Sequence, residues 1–363
     1  MSKHRIQATR QHFHNAIYPQ HFEIRQLWMN LLLFGVVGSI ISFVVGPVVT
    51  IIWFAIYQCL LLINLVLIPG VFFSFESAAI AAGIAIWLNL TGYANHLIPS
   101  QLLNHYGLSA SPAAAFNYVL LASFILFILG AIIAKDGGRY NIPVVSRNER
   151  KNRIAGYPFK TLNVIPLFMF IPGDWIHSTI PYWPVMMLNG HSLAFVVVPV
   201  SLGFQMTVFK SLPRWLFKQL GKRIMQLALI GILLMVVSLF LPIAALPSLL
   251  IMILGLWWLR MHFKAVDRNQ ADWYSEVIDG VRVIGIEPNT PAAKMQLAIG
   301  DVILTVNNQP VTNEDEFYRA LLKQSTYCRM KVRNREGRLL ITETAIFNNA
   351  PHEIGVVLFK GKS

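Results

Sequence analysis

Few side chains in this sequence are of a type that does chemistry, and their spacing opposes most of the reactions they suggest. A zinc hydrolase working inside a membrane needs His-Glu-x-x-His on one helix, so that two imidazoles one turn apart hold the metal and the glutamate handles the proton. The chain's one His-Glu pair is His352-Glu353, and Val356 stands where the second histidine belongs. A serine nucleophile on a strained turn needs a following glycine, which neither Gly38-Ser39-Ile40 nor Gly190-His191-Ser192 supplies. His191 and Ser192 are no dyad either, because adjacent helical residues point about 100° apart. His4, His12, His14 and His21 crowd the N-terminus, and Asp174 with His177 has i to i+3 spacing, but no matching ligand set accompanies them. Cys59 and Cys328 are too distant to frame a metal site or a disulfide scaffold and read as small apolar fillers. The expectation is a chain with no catalytic residues, no metal and no cofactor.

One carboxylate remains to be explained. Glu76 is the single charge in the 64 residues from Leu27 to Leu90, a setting that often marks an ion or proton path. Its position near a helix start, after Pro69-Gly70, favours an interfacial residue instead. Gln58, Asn64, Asn89 and Asn117 read as interhelical hydrogen-bond partners. No second charge within the spans is expected to pair with Glu76 and no internal repeat emerges, so transport finds no support.

The elements that carry these residues follow from composition. The 363 residues are 55% hydrophobic and 13% charged, with mean hydropathy +0.54, which excludes an ordinary soluble enzyme. Residues 1–268 hold 19 Lys and Arg against 6 Asp and Glu, whereas 269–363 hold 11 of each, so the whole excess of +13 lies in the apolar part. Basic polar loops between apolar runs are the signature of a membrane protein with those loops in the cytoplasm, so nucleic acid is a poor reading of the pI near 9.9 and lipid a good one. The N-terminus, with Lys3, Arg5, Arg10 and Arg25, does not read as a cleavable signal.

Apolar length places membrane spans at 27–45, 48–68, 72–90, 113–134, 161–177, 191–209, 224–241 and 244–260. Four Lys and Arg in the N-terminus, seven in 135–160 and five in 210–223 mark the inside, while 91–112 and 178–190 have none. Eight crossings satisfy every loop and leave both ends cytoplasmic. Span 161–177 is the weakest, with Pro166, Pro172, Gly173 and Asp174. By parity, it and 191–209 cross together or not at all, which keeps six crossings as the alternative.

After Trp257-Trp258 the pattern changes to short strands. Val281–Ile286, Val302–Val306 and Ile354–Phe359 are strand-like, and Thr312 or Asn313 caps a helix through about Lys323, with Glu314, Asp315 and Glu316 at its positive end. Cys328, Met330 and Val332 alternate with Arg329, Lys331 and Arg333, giving a hairpin with one apolar and one basic face. Arg335 and Arg338 extend that basic edge, for which a solvated face is the plain reading and contact with anionic headgroups the sharper one.

Glu287-Pro288-Asn289-Thr290-Pro291-Ala292-Ala293 followed by Ile299-Gly300-Asp301-Val302-Ile303 resembles the core of a PDZ domain, and the helix from Thr312 falls where that family has its groove helix. The resemblance implies binding of an extended peptide between a strand edge and that helix. The order of elements is similar to the circularly permuted bacterial PDZ domains, whose carboxylate-binding loop Glu353-Ile354-Gly355-Val356 resembles. On that basis the implied groove comprises Ile354, Gly355, Val356 and Val357 with Asp315, Phe317, Arg319 and Leu322. The family's usual Gly-Leu-Gly-Phe is absent, so an internal peptide or a helix stays open as ligand, and a strand-end glycine stays open as the role of Gly355.

The expected organisation is a cytoplasmic N-terminus (1–26), an α-helical polytopic membrane domain (27–260), a linker (261–274) and a small α+β PDZ domain (275–363). That layout resembles the MinJ-type cell-topology determinants of Firmicutes, with further loose support from Pro166-Leu167-Phe168, Ile171-Pro172-Gly173-Asp174, Trp183-Pro184 and Pro199 to Phe204. The resemblance implies a non-enzymatic scaffold in septum placement whose PDZ groove recruits Min-system and DivIVA-type proteins at septum and poles. Membrane lipids are the other expected partner, and homo-oligomerisation is left open. An accessory subunit of a secretion, transport or protease complex, or a membrane protease with a substrate-gating PDZ domain, are the competing classes.

Overall fold

The computed structural model describes residues 22–67, 74–91, 115–147, 153–172, 182–188 and 191–271, and then 274, 275, 277, 279–288, 290–324, 327–345 and 354–359. The N-terminus through His21, Pro69-Gly70, residues 92–112, Asp174, His177 and His352-Glu353 lie outside the described residues.

Helix α1 (Phe22–Asn30) passes through a π-helical turn, Leu31–Gly35, into α2 (Val36–Val45). Then come α3 (Ile51–Leu67), α4 (Ser74–Thr91) and α5 (Ala115–Asp136), and after a set of strands α6 (Pro213–Phe240) and α7 (Ala245–Arg268). Five stretches among the described residues are long and apolar enough to cross a membrane: Ile24–Val45, α4, α5, α6 and Pro242–Arg268; Ile51–Asn64 is apolar but shorter. Between helices in lipid there is no hydrophobic driving force, so close packing of small residues takes its place. A Cβ on Gly130 of α5 would lie 2.9 Å from the Gly221 carbonyl oxygen of α6, so glycine is what allows the two backbones to touch.

Residues 161–177 and 191–209, expected as two membrane helices, are a correction. Their described residues form a long antiparallel hairpin. β2 (Arg153–Pro172) and β4 (His191–Val208) stay in register from Tyr157 opposite Val208 to Pro172 opposite Leu193, with β1 (Val144–Arg147) and β3 (Val185–Leu188) added at opposite ends. A short apolar run does not by itself separate helix from buried strand. The β-branched residues Val196, Val197 and Val198 and prolines 158, 166, 172 and 199 decide for strand, because proline inside a helix costs about 3 kcal/mol.

Those prolines sit where a strand tolerates them. Pro166 faces Pro199 directly, and since neither can donate, that pair is one whose N positions point out of the ladder. The outward-pointing groups then need partners, since lipid supplies none. On the β2 side, Ser39 and Ser42 of α2 donate their hydroxyls to the carbonyls of Pro166 and Phe168, and Phe170 exchanges bonds with Pro47 and Val49. On the β4 side, Trp183 Nε1 donates to the Phe195 carbonyl, the Ser201 N–H donates to Tyr57 Oη, and the Gly203 N–H donates to Ser74 Oγ. One face of the hairpin, with Ile165, Leu167, Met169, Val198, Val200 and Phe204, packs into the helical core; the other presents Leu162, Val164 and Val197 outward.

Two polar contacts tie the helices together. Asn30, at the π-helical turn, donates to Asp136 (2.6 Å) and Asn163 (3.3 Å) and accepts from Lys135 (3.1 Å), joining α1, α5 and β2. Glu76 also departs from expectation: it is buried on α4 and paired with Arg260 of α7, Oε1 to Nη1 2.9 Å, while that guanidinium lies over the Phe204 ring at 5.4 Å. Counting charges within spans overlooked Arg260 because it sits at the very end of its span.

Past α7, the chain forms a five-stranded sheet: β10 (Leu339–Ala345), β9 (Tyr327–Arg333), β7 (Val302–Val306) and β5 (Val281–Arg282) in that order, with β8 (Gln309–Pro310) also paired to β7. A separate pair joins β6 (Gly285–Ile286) to β11 (Val356–Val357). Helices α8 (Pro291–Lys294) and α9 (Glu314–Leu322) close a core of Val283, Ile303, Val306, Phe317, Met330 and Val332. Asn307 and Asn308, both at positive φ, make the tight turn from β7 to β8.

Candidate peptide-binding site

Among the described residues, strand β11 is held on one side only: it pairs with β6 alone, Val356 opposite Ile286 and Val357 opposite Gly285, which leaves its second edge without a strand. The chain enters it through Gly355, whose φ of +84° lies in the left-handed region. A Cβ there would overlap the Thr290 side chain, so the position admits glycine on steric grounds as well. The flanking carbonyls are already used: Ile354 O accepts from Ala292 N (2.9 Å) and Gly355 O from Glu287 N (2.8 Å). The loop is therefore fixed in shape.

Helix α9 begins with a reciprocal cap. Asn313 Oδ1 accepts from the Glu316 N–H (2.9 Å), and the Glu316 carboxylate reaches back to accept from both the amide and the hydroxyl of Thr312 (2.8 Å each). The Thr312 hydroxyl, then its amide, hold the Glu316 carboxyl below the usual range. Asn313 is thus the capping residue of the two that sequence offered.

The eight expected groove residues separate by burial. Ile354, Val356 and Phe317 are core side chains, and Gly355 is buried beneath Thr290. Val357 packs toward the membrane part. Asp315 and Arg319 are exposed, and Leu322 is 78% exposed at the end of α9. Of the eight, only Asp315, Arg319 and Leu322 present exposed side-chain surface.

Sequence reasoning missed how the domain is held. Asp267, near the end of α7, accepts from the N–H groups of Phe209 (2.9 Å), Lys210 (3.0 Å) and Ser211 (2.7 Å), fastening the helix end to the turn between β4 and α6. Seven residues after Asp267, Tyr274 O accepts from Ala155 N (3.0 Å), and Ile154 bridges Ser275. Tyr157 Oη donates to Ile284 O (2.8 Å), and the rings of Tyr157 and Tyr274 meet edge to face at 5.0 Å. Burial pushes the Tyr274 hydroxyl up to about 12 and the Tyr157 hydroxyl up as well. Phe359, Ile284, Ile154 and Ala155 complete this apolar junction, with Val357 and Ile299 against it. A buried aspartate closing an apolar helix was the one available signal; the tyrosines gave none.

Comparison with known proteins bears on both halves. The PDZ domain family profile matches residues 259–340. A probable cell division topological determinant MinJ of Lacticaseibacillus paracasei is 29% identical over 367 residues, covering 98% of this chain and 91% of that protein. The cell division topological determinant MinJ of Bacillus subtilis strain 168 is 31% identical over 197 residues, 54% of this chain and 50% of that protein. With membrane-length apolar helices followed by a PDZ domain, and this likeness over nearly its full length, the chain is MinJ-like.

Proposed function

We propose that the chain is a non-enzymatic membrane adaptor that captures partner proteins at the free edge of β11 beside α9 and holds them at the division site. The observation that carries this is the β11 edge, left without a strand among the described residues, while the capped helix α9 sends Phe317 into the same core as Val356, in a chain similar to MinJ determinants. An extended partner segment adds to β11 as a further strand, main-chain bonds supplying affinity, while Asp315, Arg319 and Leu322 of α9 supply selectivity. Because α7 ends at Arg268, shortly before Tyr274, and the junction at Tyr157 and Tyr274 fastens the domain, the groove stays close to the membrane surface. Partners that bind the same membrane meet it at raised effective concentration, so weak contacts suffice. Min-system and DivIVA-type proteins are the proposed partners. The N-terminus and PDZ domain face the cytoplasm, and the protein gathers at septum and poles.

The test is fluorescence localisation of a functional tagged copy in growing cells, together with the Min and DivIVA homologues in a strain lacking the protein. Septal or polar foci, with Min proteins displaced on deletion, are expected. A uniform membrane signal with undisturbed division would overturn the proposal and favour an accessory subunit of another membrane complex.

A further inference from the structure

The β9–β10 hairpin carries a surface used neither by the groove nor by the junction. Residues opposite one another on paired strands share a face. Arg333 lies opposite Leu339, Lys331 opposite Ile341 and Arg329 opposite Glu343, while the other face of β9, with Cys328, Met330 and Val332, is core. The outer face therefore sets two large apolar side chains, Leu339 and Ile341, 56% and 60% exposed, among three cations.

Its location gives that face a neighbour. Arg335, in the turn joining the strands, lies over the Tyr274 ring at 5.9 Å, and Tyr274 packs on Tyr157 at the base of the membrane hairpin. One end of the surface is thus continuous with the junction to the membrane part. Arg282 lies in the same sheet, one strand over from Arg333 across Val302; burial first, then the Arg333 charge, lowers its proton affinity.

The domain's charges are also separated. Residues 327–345 hold five Lys and Arg against two Glu, whereas Glu314, Asp315 and Glu316 stand together at the start of α9. Phe317, Ala320 and Leu321 of α9 enter the core from the side opposite Arg329 and Lys331. The result is a domain of near-zero net charge with a basic, partly apolar sheet face and an acidic helix behind it.

We propose that the outer face of β9–β10 is a membrane-contact surface for anionic lipid, with Leu339 and Ile341 among the headgroups and Arg329, Lys331 and Arg333 on the phosphates. Long basic side chains around an apolar patch extend to phosphate while their stems cover hydrocarbon. This contact turns α9 and its acids away from the bilayer. It stands independently of what the groove binds.

The test uses the full chain in nanodiscs, with Cys59→Ser and Ile341→Cys carrying an environment-sensitive fluorophore; Cys328 is buried, with its thiol pushed up to about 12, and stays unlabelled. In discs containing phosphatidylglycerol, spin-labelled lipid is expected to quench the probe, and high salt to relieve the quenching. Each basic residue near an anionic surface is worth about fivefold, so R329Q/K331Q/R333Q should lower the docked-to-undocked ratio about a hundredfold. Hydrogen exchange of the unlabelled chain should report the same loss of protection in 327–345 while α9 stays unchanged, which separates undocking from unfolding. Equal quenching in purely zwitterionic discs, no quenching in either, or protection that grows with protein density, as a second copy would give, each overturns the proposal.

Discussion

Gly355 has two separate reasons to be glycine, the left-handed backbone and the Thr290 side chain. Gly355→Ala is expected to destabilise the PDZ domain by about 1–2 kcal/mol from backbone strain alone, with the overlap added, read by denaturant unfolding. It therefore tests the fold before it tests binding. Charge reversal at Glu316 has the same defect, since its carboxylate closes the α9 cap. The cap also gives a pH dependence. A carboxyl whose folded pKa lies below its unfolded value stabilises fully above the unfolded value and loses that contribution as pH falls through the folded one. Hydrogen exchange at the start of α9 should accelerate on acidification through and below the ordinary carboxylate range, and Glu316→Gln should abolish that pH response. The substitutions that address the groove are Leu322→Asp and Asp315→Lys, both at exposed positions. Each should lower partner recovery in a pull-down severalfold at unchanged protein level and melting temperature; unchanged recovery would remove α9 from the groove.

At the scale of elements, the hairpin of β2 and β4 exists in an apolar setting because neighbouring helices satisfy its edges. Ser39→Ala or Ser42→Ala leaves a carbonyl of β2 without its donor and should cost about 1–3 kcal/mol each in detergent-solubilised thermal unfolding. The pairing of α4 with α7 makes a second prediction. Arg260→Met leaves Glu76 buried and unpaired, a loss of about 3 kcal/mol given that Arg260 keeps some exposure. Adding Glu76→Met should recover most of it, because an apolar pair needs no desolvation. No recovery in the double variant would show that Glu76 has work beyond the pair.

For the whole molecule, the PDZ domain is fastened to the base of the β2–β4 hairpin, which would set where the proposed groove sits. Tyr157→Phe removes the donor to Ile284 O and should cost about 1–3 kcal/mol, raising the undocked population tenfold or so. Hydrogen exchange would show faster exchange at Ala155, whose N–H donates across the junction to Tyr274 O, with β9 and the Ile284 N–H, held by Val357 O, unchanged. Asp267→Ala should loosen the same region, since three N–H groups lose their acceptor together.

Composition and apolar run length by themselves determined that the chain has a membrane part, and the alternation of Cys328 to Arg333 with the Pro291 turn determined a small α+β domain behind it. These are local properties: a residue's burial along a strand or span follows from its own neighbours in sequence. The helix cap at Asn313 and the glycine before Val356 were legible for the same reason. Which side chains of these elements stay at the surface was not, because Phe317 and Val356 turn into a core assembled from distant segments. The prolines and valines of 153–172 and 191–208 argue against helix, but only the tertiary structure makes strands there tenable, since their edges are satisfied by Ser39, Ser42, Tyr57 and Ser74 from other elements. Tertiary structure alone decided the Glu76–Arg260 pair and the junction at Tyr157 and Tyr274, where partners more than a hundred residues apart in sequence meet and no periodicity records the meeting.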